Sequence, residues 1–315
     1  MPCPEKRSEY AAVGDLSRRW AYAGLGLAVI FWGASFVAAK IALRELTPAA
    51  LTCARFGIGL FVLLGTVLLR RDFRPVPRRD LPPLFLLGLI GVALHQWLQA
   101  TGLQTAAASV SSWIVTTIPI FVALLGWIFL GERLGPWRAL GIGLAGVGTL
   151  VVASGGRLAG LVSGQVGTVG DALMAVSALN WAVFTVLSKR VLTGNGEEAG
   201  KQASPLTKTL IMMAFGWLAT LPWVALDGGW RALGSLSGAG WAALLFLGVA
   251  CSGLAYLFWY DALQVVDATQ VGAFLYLEPL VTSLLALPLL GEPLTAALGL
   301  GGATILIGVW MVHRA

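Results

Sequence analysis

A carboxylate inside a long apolar run is the sharpest chemical signal in this chain. Glu278 stands about ten residues into such a run, and Gln270, Phe274 and Glu278 follow an i, i+4, i+8 spacing that puts them on one helix face. An ionisable group at that depth is costly and marks a site by default. The stripe would line a cavity wall, with Glu278 holding a substrate amine or a coupling proton. Paired to another buried group, the same carboxylate would instead brace the fold. His95 and Gln99 are also i, i+4, with Gln96 and Trp97 beside them. The imidazole could bind substrate or relay protons near neutral pH, or serve as a hydrogen-bonded structural residue. Lys40 and Arg55 come from neighbouring runs, and either could take a substrate carboxylate. Lys40, near a helix end, suits snorkelling to the interface, whereas Arg55 lies about two turns inside its run. Asp261, with Asp267 beyond it, reads as interfacial.

The elements that must position these groups are ten apolar runs, at 20–43, 48–69, 82–103, 107–130, 136–154, 171–192, 205–226, 239–261, 268–290 and 294–313. Each can cross a hydrocarbon core of about 30 Å as a helix. Lipid offers backbone groups no partners, so spans are helices or closed barrels. Continuous apolarity without alternation selects helices. The composition agrees: the 315-residue chain is 57% hydrophobic and only 11% charged, where a soluble domain carries about 25% charged residues. The chain is therefore expected to be an all-α polytopic membrane protein.

The net charge of +6 does not point to nucleic acid, because the basic residues sit in the short segments between spans. With the N-terminus inside, inner segments hold sixteen Lys and Arg residues and outer segments only Arg44, Arg157 and Arg231. The positive-inside rule then puts both termini in the cytoplasm. Residues 1–19 form a polar tail without a cleavable apolar region, so the first span is expected to be retained. Cys3, Cys53 and Cys251 have no paired spacing and suggest neither a disulfide frame nor a metal site.

The chain also repeats itself. An offset of 160 superimposes Gly88–Val152 on a later stretch with sixteen identities in sixty-five positions, among them Gln104 with Gln264 and Pro119 with Pro279. Gly131-Glu132 likewise falls on Gly291-Glu292. Trp32 and Lys40 are spaced eight apart, as are Trp181 and Lys189, and Pro48 opens span two as Pro205 opens span seven. The units run 20–154 and 171–313, joined by a Gly/Ser-rich linker at 155–170. Five spans is an odd number, so the halves are inverted, and inverted repeats suit a midplane site exposed alternately to either side. Pro119 and Pro279 should break the helical ladder and supply hinges. Glycines 141, 143, 146 and 148, with 299, 301, 302 and 308, permit close helix packing or a homodimer contact. Glu132 and Glu292 read as loop caps.

Trp32-Gly33-Ala34-Ser35-Phe36 with Lys40, the two prolines and the two Gly-Glu pairs resemble the EamA repeat of the drug/metabolite transporter superfamily. The resemblance covers about residues 20–312. It implies ten helices in two inverted five-helix units, a cavity lined by spans one to four and six to nine, and peripheral spans five and ten. It also implies export of small metabolites, including amino acids in some members. Trp32, Trp113, Trp181, Tyr256, Tyr260 and Phe274 fall on the spans so placed around the cavity, where aromatic walls suit partly apolar ligands. Interfacial belts also use Trp and Tyr. The sequence departs from internal symmetry at Ile118 opposite Glu278 and at Ala182 opposite Gly33.

These readings converge on a secondary transporter of the bacterial inner membrane that exports a small metabolite, an amino acid first, by alternating access and without a cofactor. No G-x-x-x-x-G-K-[ST] is present for ATP. His95 and His313 are the only histidines, which leaves no His-Glu-x-x-His for an intramembrane enzyme. A membrane scaffold or partner subunit is the alternative.

Overall fold

The computed structural model describes residues 4–71, 73, 75–130, 135–156, 167–193, 204–263, 265–266 and 268–314. All regular structure among them is helical. The helices are α1 (Pro4–Ala42), α2 (Pro48–Leu69), α3 (Arg78–Leu103), α4 (Ala108–Val115 continuing as Ile118–Leu130) and α5 (Pro136–Ala153). The second set is α6 (Val169–Thr193), α7 (Pro205–Asp227), α8 (Gly238–Leu263), α9 (Ala268–Phe274 continuing as Glu278–Leu290) and α10 (Ala296–Arg314). Among the described residues nine are long and apolar enough to cross a membrane, and the apolar stretch of α10, Ala296–Val312, is shorter. α1 runs back to Pro4, into the segment read as a tail.

Sequence signals start the helices as expected. Thr47 and Ser204 cap α2 and α7 by accepting the N–H groups of Ala50 and Thr207 at 3.1 Å, and Pro48 and Pro205 follow in the first turn. Proline is tolerated there because its missing N–H would have no helical partner anyway.

The helices pack in a pattern that exchange of the two halves leaves unchanged. α1 lies against α8 and α9, while α6 lies against α3 and α4. α2 packs on α7 and α8, α7 also packs on α3, and α4 meets α9. α5 packs along α10. There Gly141 faces Gly308 and Gly148 faces Gly301, and a β-carbon at any of the four would lie within 2.8 Å of a backbone oxygen on the other helix. Rising numbers on one helix meet falling numbers on the other, so these equivalent helices are antiparallel and the repeats inverted. The close approach explains four of the eight glycines; Gly143, Gly146 and Gly299 meet nothing, and Gly302 faces Trp113.

Two irregularities recur at equivalent places. α3 is π-helical at Leu89–Leu94 and α8 at Phe246–Leu254, ending at residues related by the offset of 160. α4 is interrupted at Thr116–Thr117, and α9 passes through a 3₁₀ turn at Leu275–Leu277. The interruptions precede Pro119 and Pro279, which therefore sit in the first turn of the second segments rather than in mid-helix. Hydroxyls serve the exposed carbonyls. Thr117 Oγ1 donates to Ile114 O at 2.6 Å, Ser283 Oγ to Pro279 O at 2.7 Å, and Thr282 Oγ1 reaches Gly33 O on α1 at 2.7 Å.

Candidate functional site

Arg55 enters the protein from α2 and is buried. Its Nε donates to Ser252 Oγ on α8, and one terminal nitrogen donates to Gln96 Oε1 on α3, each at 3.1 Å. The guanidinium centre lies 5.1 Å from the Phe56 ring centroid. Both partners are neutral, and among the described residues no carboxylate pairs with this cation. Arg55 opens on a narrow cleft lined also by Ser35, Thr52, Gln96 and Gln99, with about 10 Å³ of room for water-sized guests. The resemblance led us to expect a cavity shared by both repeats. This cleft is instead lined by α1, α2 and α3, all of the first repeat.

Glu278 begins the second segment of α9, where the helix dipole favours an anion. Its carboxylate accepts no hydrogen bond and joins no ion pair among the described residues. Tyr256 and Cys251 of α8 lie within electrostatic reach of both Glu278 and Arg55, so one cation and one carboxylate flank the same part of α8. Trp32 completes this region. Its indole N–H donates to Cys251 O at 3.1 Å, and its ring lies 5.6 Å from Tyr256 and 5.1 Å from Trp259.

The expected Gln270–Phe274–Glu278 stripe does not continue as one face. The 3₁₀ turn between Phe274 and Glu278 advances about 120° per residue rather than 100°, rotating Glu278 by about 60° over three residues. Gln270 and Phe274 belong to a separate contact, where Tyr22 OH donates to Gln270 Oε1 at 2.9 Å and its ring stacks on Phe274 at 6.1 Å.

His95 is buried between α3 and α6, its Nδ1 lying 3.1 Å from both the carbonyl and the hydroxyl oxygen of Ser177. Trp181 lies 4.5 Å from the imidazole and 4.7 Å from Phe184. Trp32 and Trp181 thus do the same job in their repeats, each packing from a first helix onto the third helix of the other half. Trp113 points away from the cleft, into a cluster with Ile120, Ala145 and Ile305 over Gly302. That is the peripheral side, so the cavity role expected of it has no geometric basis here.

Lys40 does not snorkel. It is half-buried, donates to Ala106 O and lies 3.7 Å from Glu292. Asp261 is half-buried and forms a two-pronged pair with the exposed Arg70 at 2.8 and 2.9 Å. Glu132, Gln264, Asp267, most of the linker and the side chains of Lys189 and His313 lie outside the described residues. Sequence reasoning passed over Ser35, Thr52, Trp259 and Ser252. Small hydroxyls inside apolar runs are too common to stand out, although Ser35 belongs to the Trp-Gly-Ala-Ser-Phe motif.

The EamA-like transporter family profile matches residues 19–154 and 168–314, once for each half. The chain belongs to the EamA-like transporter family. Two Archaeoglobus fulgidus proteins described as uncharacterized transporters are 30% and 32% identical to it, over 92% and 91% of this chain and 97% and 95% of their own. A Streptantibioticus cattleyicolor protein described as a probable terminal-alkyne amino-acid exporter is 28% identical over 92% of both chains. A solved crystal structure shares the fold, with a TM-score of 0.62 and 22% identity over 93% of this chain and 98% of that one. As an EamA-like transporter the protein is a multi-pass membrane protein that acts on a small-molecule substrate.

Proposed function

We propose that this EamA-like transporter exports a small amino acid with an apolar or aromatic side chain across the cytoplasmic membrane by alternating access. The observation that carries the proposal is Arg55, a buried cation that lines a narrow cleft of mixed polar and apolar side chains and whose protein partners, Ser252 and Gln96, are both neutral. A guanidinium binds a carboxylate through paired N–H donors, and such a site without its own carboxylate is matched by one brought by the substrate. Glu278, also unpaired, supplies the opposite charge for an α-ammonium group. Trp32, Tyr256 and Trp259, which pack together where α1 meets α8, would supply an apolar wall. The interrupted helices α4 and α9 supply hinge points beside Pro119 and Pro279. The distribution of loop lysines and arginines supports an orientation with both termini in the cytoplasm. The amino-acid exporter among the relatives is in keeping with this cargo.

The test is counterflow in liposomes holding purified protein, with L-phenylalanine and L-leucine as probes. Exchange of labelled probe is expected in the wild type and is lost in Arg55→Gln. Equal exchange in empty liposomes, or an unaltered Arg55→Gln variant, would overturn the reading.

A further inference from the structure

Gly291 and Glu292, in the second repeat, form a device together with the start of α4, in the first. At the end of α9, Gly291 takes a left-handed conformation with φ 70° and ψ 20°, which an L side chain adopts only under strain. Its N–H reaches Leu287 O and that of Glu292 reaches Ala286 O, each at 3.2 Å. The turn aims the Glu292 carboxylate at the start of α4. There Oε1 accepts the N–H of Ala108 at 2.7 Å, and Oε2 accepts the N–H and the hydroxyl of Ser109 at 2.9 and 2.6 Å. Ala107, the residue before the helix, has no side-chain acceptor, so the cap of α4 comes entirely from the other repeat. Lys40 of α1 lies 3.7 Å from the same carboxylate and also donates to Ala106 O.

The capped segment Ala108–Val115 is a short lever. It is cut off from the rest of α4 at Thr116–Thr117 and held at its other end by Glu292. Its residues Ala108 and Ile114 pack in the same apolar cluster as Ala39, Leu51, Ala100 and Leu103, which line the cleft. We propose that Glu292 is a latch, a positioning residue that holds this segment against α1 and α3. Substrate then leaves at this end of the protein only after the carboxylate releases the α4 amides. The inference rests on the alternating-access reading above. Charge-assisted hydrogen bonds are the strong ones, and here they join parts that must separate if the repeats exchange conformations.

The experiment labels a cysteine at Ala100 with a membrane-impermeant maleimide, in protein whose Cys3, Cys53 and Cys251 are serine. Arg44→Cys, exposed in the turn after α1, marks the side of the membrane. Glu292→Gln and Lys40→Met should each raise labelling from the Arg44 side about tenfold, as expected for losing bonds to a charged group in a two-state equilibrium. Lys40→Arg should stay near the unmodified rate. Unchanged labelling in both variants, with a lowered melting temperature in Glu292→Gln, would reduce Glu292 to a helix cap and overturn the latch. Should Glu292→Gln fail to fold, Lys40→Met and Ser109→Ala decide. Failure of phenylalanine counterflow in the unsubstituted protein would instead strike the export reading, whatever the labelling shows.

Discussion

Gly33 of α1 faces the carbonyl of Glu278 on α9 so closely that a β-carbon there would stand 2.8 Å from that oxygen and equally near Val281. The contact ties the entry motif of the first span to the residue proposed to meet a substrate ammonium group. It also explains the glycine in Trp-Gly-Ala-Ser-Phe. Gly33→Ala should push α9 from α1, weaken the Thr282 hydroxyl bond to Gly33 O and cost about 1–3 kcal/mol. Thermal unfolding in detergent would show a lower midpoint, and an unchanged midpoint would refute the close approach.

Arg55 and Glu278 can be separated by substrate analogues. Glu278→Gln should weaken L-phenylalanine inhibition of counterflow about tenfold or more while leaving 3-phenylpropionate, which has no amine, unaffected. Arg55→Lys keeps charge but loses the planar fork, so it should weaken phenylalanine and 3-phenylpropionate alike. Inhibition constants for the two compounds decide; equal losses for both in Glu278→Gln would remove that residue from amine recognition.

Trp113 offers a control. Packed over Gly302 in the α4–α5–α10 cluster, it should act on stability and not on substrate. Trp113→Ala is expected to cost about 3 kcal/mol or more through the cavity it leaves. The apparent KM for counterflow should stay at the wild-type value in protein that remains folded. A raised KM would return Trp113 to the pathway.

Glu45 gives a dependence on pH. The Ser237 hydroxyl, first, and the Ser237 N–H, second, donate to its carboxylate at 2.6 and 2.7 Å and hold its pKa below the ordinary 4.5. A carboxyl whose folded pKa is depressed stabilises the fold above the ordinary value and loses that contribution as pH falls through the lower folded value. The melting-temperature difference between wild type and Glu45→Gln should therefore be steady near neutrality, shrink as pH falls below the ordinary 4.5 and vanish only below the lower folded value. A difference that survives strong acid would mean the loop tie is not carried by charge.

Much of the architecture was legible because lipid leaves few choices: uninterrupted apolar runs must be helices, and an odd number of them per repeat must invert. Gly141, Gly148, Gly301 and Gly308 were also readable as packing positions. The site was harder. Periodicity assumes an unbroken α-helix, and the 3₁₀ turn at Leu275–Leu277 removed Glu278 from the stripe with Gln270 and Phe274. Trp113 shares a helix with cavity-side residues but leaves it in another direction, which span membership cannot reveal. Lys40 looked like a snorkelling end residue because its partner, Glu292, lies more than 250 positions away in the chain.

The wide turns in α3 and α8 bear on the history of the protein. A π turn holds about one residue more than an α turn, so each of these helices is one residue out of phase with an uninterrupted α-helix. Two independent insertions would rarely come to rest at matched positions, ahead of His95 in one half and Ala255 in the other. The matched end of the two wide turns is what a single ancestral unit that already held the extra residue would leave in both descendants after duplication.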